Sequence, residues 1–345
     1  MTTMTQPAPT RVTIGVDTHA DIHVAVAKDS FGRRLDMTSV PTTPAGYAEL
    51  LGWAERLGEI HAWGIEGTGC FGAGLTRFLR AHGQVVVEVN RPDRAARRRR
   101  GKSDPLDAEA AARAGQAQQG SIPKAGDGQV EMIRSLRVAR ATAMKARTQA
   151  INALKGLLVT APAELREQLG GLSAVRLVQT TAALELGPVT SPVAAATLGL
   201  RSLGCRYQAL SAELTVLDAE LDRLTAAAAP RLVALFGVGP DSAGALLVAA
   251  GDNPDRLRSN AAFSMLCGAS PIEASSGKTR RHRLNRGGDR QANAALHRIV
   301  VARLRHDQQT KDYLARRIGE GKSKKEAIRC LKRYVAREVF AALPR

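Results

Sequence analysis

Two aspartates three residues apart, Asp104 and Asp107, open a helical pattern just after a run of four arginines. Residues at positions i and i+3 lie on one face of a helix, so the two carboxylates can point to the same place. Oxygen ligands of this kind suit Mg²⁺. The alternative is helix capping, with Ser103 or Asp104 as the N-cap, Pro105 at the first helical position and the acids in the first turn. Taken alone, this stretch favours capping.

The N-terminal third of the chain mixes strand and helix patterns. Apolar residues alternate over 12–16 and 22–26, and Phe31-Gly32 lies near a turn before Leu35, which predicts antiparallel strands at the start of a sheet. Helix, strand, helix and strand patterns then follow over 43–56, 62–66, 71–82 and 84–89. The N-terminal region is therefore predicted to be an α/β fold.

Two further acids stand at the ends of predicted strands. Asp17 ends the first strand, and Glu66 ends a central one. Sites in open α/β sheets form where strands end, and four converging carboxylates would repel one another without a metal. With a metal they would form a phosphoryl-transfer site. Each acid alone is more often structural, but together they predict a Mg²⁺ site, with Mn²⁺ as the alternative ion.

The net charge of +18 over 345 residues is concentrated in three segments. Residues 91–102, 278–290 and 311–345 carry net charges of +6, +5 and +7, so the remaining chain is neutral overall. Such a distribution predicts a polyanionic partner, whereas a coding bias toward arginine would spread the charge evenly. Aromatic residues make up only 3% of the chain, which argues against base stacking as the main mode of binding.

A helical region follows a linker over 115–127. A basic helix is predicted over 129–158, and a second pattern has leucines and one tyrosine spaced alternately by three and four residues, at Leu200, Leu203, Tyr207, Leu210, Leu214, Leu217, Leu221 and Leu224. This heptad register predicts a coiled coil that could serve oligomerisation. An intramolecular hairpin with the 129–158 helix explains the same pattern, and both interpretations stay open.

The C-terminal region contains a glycine turn and a serine flanked by cations. The stretch LFGVGPDSAGALLVAAGD is similar to a helix-hairpin-helix, whose turn N–H groups can hold a phosphate, although a plain glycine-rich turn would look the same. Ser276 precedes Gly277 in a basic loop and could be a nucleophile toward a phosphodiester. Serine in a polar loop is usually only a turn residue. Helices are predicted over 293–305 and 319–343.

Several segments together resemble a known family. GVDTHADIHVAVAKDSFG, GIEGTGCFGAGL, VVVEVNRP and GKSDPLDAEAAARA, in this order, resemble the N-terminal domain of the DEDD insertion-sequence transposases, the bridge-RNA-guided family called insertion sequence one-ten. GASPIEASSGK and the following TRRHRLNRGGDRQANAALHR resemble that family's C-terminal transposase domain. The resemblance implies an RNase H-like (RuvC-like) domain over 11–120, an α-helical coiled-coil region over 128–230, and a mostly α transposase domain with the helix-hairpin-helix-like element over 231–345.

The resemblance also implies roles for individual residues. The four acids of the family correspond to Asp17, Glu66, Asp104 and Asp107, and its DNA-attacking serine corresponds to Ser276, with Ser275 in reserve because the serine is doubled. The basic residues assigned to nucleic acid are Arg97, Arg98, Arg99, Arg100, Lys102, Lys278, Arg280, Arg281, Arg283, Arg286 and Arg290.

The function implied is site-specific DNA recombination that mobilises an insertion sequence. The partners implied are donor and target double-stranded DNA, a structured guide RNA, and further copies of the chain in dimers or tetramers. Three alternatives stay open: a RuvC-like metal nuclease or junction resolvase without a covalent intermediate, a non-enzymatic nucleic-acid scaffold, and an actin-like-fold kinase suggested by Asp17 and the Gly67-Thr68-Gly69 turn. Without a signal-like N-terminus or an apolar span, the protein is expected in the cytoplasm, at the nucleoid when bound to DNA.

Overall fold

The computed structural model describes residues 11–89, 103–279 and 282–344. Seven of the predicted nucleic-acid residues lie outside the described residues: Arg97, Arg98, Arg99, Arg100, Lys102, Arg280 and Arg281. The described chain divides into two compact units. A sheet unit comprises 11–89, 103–128 and 250–262, and a helical unit comprises 129–249 and 263–344. The three domain boundaries expected from the sequence stay a prediction.

The sheet unit is built on five strands. They are β1 (Arg11–Thr18), β2 (Ile22–Asp29), β3 (Arg34–Pro41), β4 (Glu59–Glu66) and β5 (Val86–Val89), in the spatial order β3-β2-β1-β4-β5. The pairs β1–β2 and β2–β3 are antiparallel, whereas β1–β4 and β4–β5 are parallel. The predicted antiparallel start and the α/β class are confirmed, and this mixed sheet fits an RNase H-like domain.

Three α-helices accompany these strands: α1 (Pro44–Leu57), α2 (Ala73–Ala81) and α3 (Asp104–Gln116), and the segment 250–262 contains a 3₁₀ helix, Pro254–Arg256. Helix α1 begins where the Thr43 hydroxyl accepts a hydrogen bond from the Gly46 amide, as an N-cap should. Residues of α1 and α2 share one hydrophobic core with β1, β2 and β4, in which Ile14, Leu50 and Trp63 are fully buried. This core occupies one face of the sheet.

Helix α3 lies directly against the backbone of β1 and β4. A Cβ atom on Gly15 would stand 2.0 Å from the carbonyl oxygen of Ala108, and one on Gly64 would stand 2.1 Å from that of Ala111. Non-bonded carbon and oxygen atoms do not approach so closely, so only glycine leaves room for the helix at these two positions. The two glycines therefore fix how near α3 lies to the sheet.

The segment 250–262 belongs to the sheet unit although it is far along the chain. The Arg256 guanidinium donates hydrogen bonds to the carbonyl oxygens of Ile122, at 3.1 Å, and Ala250, at 3.0 Å. The side chain of Asn253 accepts from the Ala125 amide and donates to the Pro123 carbonyl. These polar contacts hold the segment beside the chain that follows α3.

The first part of the helical unit is an antiparallel hairpin. It consists of α4 (Gln129–Thr160), α5 (Ala163–Leu169), α6 (Ala174–Ala182) and α7 (Pro192–Ala228). Arg140 of α4 is paired with Asp218 of α7, and the Arg147 guanidinium stands over the Tyr207 ring at 5.6 Å. The heptad residues Leu214 and Leu221 are buried within this chain. The heptads therefore pack as the intramolecular hairpin, and a coiled coil between copies is not confirmed.

The rest of the helical unit is mostly α-helical. Its elements are α8 (Pro230–Val233), α9 (Pro240–Ala250), α10 (Asn260–Leu266), β6 (Ile272–Glu273), β7 (His282–Arg283), α11 (Arg290–His306), α12 (Gln308–Gly319) and α13 (Lys324–Ala342). The helix predicted over 319–343 begins only at Lys324, because Gly321 adopts a φ of +86° and Ser323 forms a capping box with Glu326. The helix-hairpin-helix assignment around α8 and α9 stays a prediction. In the described ranges, no helix combines the length and apolarity of a membrane span.

Replacing Gly64 with alanine should destabilise the sheet unit, because the new Cβ would force α3 away from β4. We expect the Gly64→Ala variant to lose about 1–3 kcal/mol in the free energy of unfolding, measured by urea denaturation. The matched control is Gly52→Ala within α1, where the nearest atom to a new Cβ is the flexible Arg56 guanidinium at 3.6 Å. Alanine should be neutral or favourable there. Equal stability of the two variants would contradict the close packing of α3.

Candidate active site

The side chains of Asp17 and Glu66 project side by side from the face of the sheet that α3 covers. Side chains alternate between the two faces of a strand, so Asp17 shares a face with Gly15, and Glu66 with Gly64. Strands β1 and β4 are parallel neighbours in the register Val16 to Ile65, and the Thr18 hydroxyl donates to the Glu66 carbonyl at 2.8 Å. Both acids therefore point from the carboxyl ends of adjacent strands toward α3.

The first turn of α3 supplies the other two acids. Asp104 and Asp107 both lie in this turn, and Asp107 is buried. The N-cap residue Ser103 makes no side-chain capping hydrogen bond, so serine capping does not account for this helix start. The positive end of the helix dipole favours carboxylates at this position. Capping and metal binding are compatible here, since the helix start itself aims two acids at the sheet edge.

The pKa of Asp17 reflects the proximity of the other three acids. The pKa of Asp17 is raised to about 6, chiefly by burial, with the charges of Asp107, Asp104 and Glu66 adding to the rise and His19 opposing it. All four predicted acids therefore act on one place. A carboxyl group with this pKa is partly protonated near neutral pH unless a cation compensates the repulsion.

An imidazole that the sequence interpretation did not single out joins the cluster. His19 Nδ1 lies 3.9 Å from Asp17 Oδ2, and His19 Nε2 lies 3.9 Å from Asp104 Oδ1. One donor atom from each of the three residues lies within 4.8 Å of the others. The signal available in the sequence was the spacing Asp-x-His immediately after a strand end, which alone is weak.

The donor set fits a divalent cation. Carboxylate oxygens from three separate elements, together with one ring nitrogen, are groups that metal ions bind in proteins. Among the described residues, Asp17, His19 and Asp104 place donor atoms near enough to share an ion, and the charges of Asp107 and Glu66 act on Asp17.

The raised pKa of Asp17 gives a pH dependence with a defined sign. Since the pKa is raised from 3.8 to about 6 on folding, Asp17 contributes stability below about pH 4 that is lost as the pH rises through 6. In metal-free protein, Asp17→Asn should therefore become more stable relative to the unmutated chain from pH 4 to pH 7, as measured by thermal unfolding.

The control for this measurement is Asp36→Asn. The pKa of Asp36 is lowered by the hydrogen bond from the Trp53 indole, so this substitution should shift relative stability in the opposite direction. Parallel pH profiles for Asp17→Asn and the unmutated protein would contradict the raised pKa.

Ser276 lies in the helical unit at the tip of a β-hairpin. Strands β6 and β7 form its stem. The Ser276 amide donates a hydrogen bond to the Thr279 carbonyl at 3.1 Å, and the Thr279 amide donates one to the Ser276 carbonyl at 3.0 Å. Gly277 takes a φ of +53°, as the first central residue of a type II′ turn requires. The residue is exposed, and within the part of the chain that the structure describes its hydroxyl has no hydrogen-bond partner.

The base of this serine hairpin, residues 269–287, is held firmly. A Cβ on Gly288 would stand 2.2 Å from the Gly268 amide nitrogen, so the two ends of the loop touch backbone to backbone. The Asn293 side chain donates to the carbonyls of Cys267 and Gly268, at 2.7 and 3.2 Å. Lys332, itself buried, donates to the Asn293 side-chain oxygen at 2.6 Å. Helices α11 and α13 thus anchor the loop that carries the serine.

Two protein-family models match the chain. One of the DEDD IS110 type, described as a transposase, matches residues 14–161, and one described as the transposase IS116/IS110/IS902 family matches residues 229–315. The chain belongs to the IS110 family of transposases. It is therefore an enzyme that cleaves and rejoins DNA, and DNA is its substrate. No curated protein matches the chain.

Four predicted nucleic-acid residues of this transposase lie on or beside the serine hairpin. Lys278, Arg283, Arg286 and Arg290 are all exposed, and none has a carboxylate partner among the described residues. The third basic segment differs, because Arg316 and Arg317 pair with Glu320, and Arg329 pairs with Glu326. Four exposed cations without a carboxylate partner thus stand on or beside the hairpin of Ser276, while the third basic segment combines such paired arginines with exposed lysines, among them Lys311, Lys324 and Lys325.

Proposed function

We propose that this transposase is a site-specific recombinase that mobilises an insertion sequence, with Ser276 as nucleophile and Asp17, Glu66, Asp104 and Asp107 as ligands of Mg²⁺ or Mn²⁺. The observation that carries the proposal is the convergence of acids at the strand ends: donor atoms of Asp17, His19 and Asp104 lie within 4.8 Å of one another, and the charges of Asp107 and Glu66 also act on the buried Asp17 carboxyl. Such a group of like charges is costly unless it binds a cation. Membership of a family that cleaves and rejoins DNA supplies the reaction class.

The covalent step that we propose is a transesterification. The Ser276 Oγ forms a bond to a DNA phosphorus, the bond from phosphorus to one deoxyribose oxygen breaks, and the proton count balances because serine loses a proton and the leaving oxygen gains one. Attack of a second deoxyribose hydroxyl on the phosphoserine then reverses the linkage on a new strand. The number of phosphodiester-type bonds is conserved, so no high-energy cofactor is required.

Two features of the chain support this step. The unpaired cations Lys278, Arg283 and Arg286 stand on the serine hairpin, where they would compensate the charge of a five-coordinate phosphate. The exposed Ser276 hydroxyl has no hydrogen-bond partner among the described residues, so it is open to an incoming phosphate. A divalent ion at the carboxylates would supply Lewis-acid polarisation of the phosphate.

A structured guide RNA, donor and target duplexes, and assembly into dimers or tetramers belong to the same proposal. Exposed lysines and arginines contact phosphates without reading bases, so pairing by an RNA would supply the sequence specificity that such contacts lack. We place the transposase in the cytoplasm and, when it is bound to DNA, at the nucleoid.

The serine proposal predicts a covalent protein–DNA adduct. Incubating the transposase, RNA transcribed from the DNA flanking its gene, and a labelled junction of its element should give a protease-sensitive adduct on a denaturing gel. Ser276→Ala should abolish the adduct, because it removes the proposed nucleophilic oxygen. Ser275→Ala is the matched control and should retain it. Asp104→Asn should reduce adduct formation by at least about 100-fold.

Each other result points to a different function. Strand cleavage without any adduct would favour the junction-resolving nuclease that uses water. Loss of the adduct in Ser275→Ala alone would assign the nucleophile to the neighbouring serine. Tight binding without cleavage or exchange in Mg²⁺ or Mn²⁺ would favour a scaffold, and nucleotide hydrolysis would favour the kinase.

The unpaired cations predict a steep salt dependence of nucleic-acid binding. Replacing Arg283, Arg286 and Arg290 together with glutamine should reduce the slope of log K against log salt by up to about 2.7 for duplex DNA, since each phosphate contact contributes about 0.9. Arg223→Gln is the control, because Arg223 is already paired with Glu220. Fluorescence anisotropy would measure the slope for each variant, with duplex DNA and with the flanking RNA. An unchanged slope in the triple variant would contradict a role of the hairpin in phosphate binding.

A further inference from the structure

His19 occupies the gap between two of the proposed metal ligands. Its two ring nitrogens face different carboxylates, Asp17 and Asp104, each at 3.9 Å. Hydrogen bonds of this kind span about 2.7–3.2 Å, so the imidazole forms one with neither carboxylate. The ring is therefore close to both acids without being satisfied by either of them.

The spacing of these donors suits one ion. Ligands at about 2.1 Å from a metal lie at most about 4.2 Å apart. Donor atoms of Asp17, His19 and Asp104 lie within 4.8 Å of one another, so a shift of well under one ångström per side chain would bring them to an ion. The backbone of His19 is held in place, because the Thr42 hydroxyl donates to its carbonyl oxygen at 3.3 Å.

We propose that His19 is a direct nitrogen ligand of the metal, so that this centre binds Mn²⁺ or Co²⁺ more tightly than Mg²⁺. The inference rests on the proposed metal centre and adds to it a ligand that is not a carboxylate. Imidazole is a good ligand for transition-metal ions, whereas Mg²⁺ prefers oxygen and retains its water. A single nitrogen donor among carboxylates therefore changes the selectivity of the centre.

A charge role for His19 is the competing explanation. A protonated imidazole near Asp17 and Asp104 would relieve repulsion in the metal-free protein and would have to leave or lose its proton when an ion binds. This role predicts no bond between the ring nitrogen and the metal. Direct spectroscopic detection of that bond separates the two explanations.

Pulsed electron paramagnetic resonance of bound Mn²⁺ is the decisive measurement. The full chain loaded with one equivalent of Mn²⁺ should show hyperfine coupling to a nitrogen nucleus, and labelling the histidines of the unmutated protein with ¹⁵N should change that coupling. The coupling should vanish in His19→Gln and persist in His82→Gln, a control whose exposed ring lies just after α2 and is hydrogen-bonded to the Phe78 carbonyl. Asp104→Asn should lose tight Mn²⁺ binding altogether.

Calorimetry gives an independent check. His19→Gln should weaken Mn²⁺ binding by about tenfold or more, while Mg²⁺ affinity changes less than about twofold. Mn²⁺ binding without nitrogen coupling in the unmutated protein, or with coupling that survives His19→Gln, would overturn the inference and leave the carboxylate centre intact. Absence of Mn²⁺ and Mg²⁺ binding in the unmutated protein would overturn both.

Discussion

The approach of α3 to the bare backbone of β1 and β4 is the contact on which the carboxylate site depends. Gly15 and Gly64 sit two residues before Asp17 and Glu66, on the same face of the sheet, so the space that admits the helix lies beside the acids. The buried ion pair of Lys28 with Glu109, at 2.8 Å, ties the helix to β2. A side chain at either glycine would move Asp104 and Asp107 away from their partners. The packing of α3 against β1 and β4 and the convergence of the four acids therefore depend on the same contact.

Charge is distributed very differently around the acids and around the serine. The sheet unit gathers carboxylates that repel one another, although the whole chain carries a net charge of +18. In the helical unit many cations are neutralised within the fold, as where Arg137 and Arg298 both reach Asp241. The exposed cations near Ser276 are left without such partners among the described residues. Each unit therefore has its own electrostatic requirement: the clustered acids favour a cation, and the exposed cations favour an anion.

Sequence patterns predicted the N-terminal fold well because its strands alternate and its acids stand at strand ends. The convergence of the acids could be anticipated, but not the glycine contacts that enforce it, since small residues in a strand leave no periodic signal. The heptads of α7 could not reveal whether their partner was α4 or a second copy, because both bury the same stripe. His19 was missed because one histidine beyond a strand carries no signal without its neighbours. The hairpin that presents Ser276 depends on two-residue strands, which are too short for a recognisable alternation.

The fold holds the proposed metal ligands and the proposed nucleophile Ser276 in opposite ways. The acids are fixed by a sheet, a buried helix and close backbone contact, which suits ligands that must hold an ion in a defined geometry. Ser276 stands at an exposed tip whose base is anchored through Asn293 and Lys332, while nothing on its own hairpin among the described residues bonds its hydroxyl. A serine in water at its ordinary pKa is a poor nucleophile, so this arrangement leaves it inert until DNA and an activating group are present.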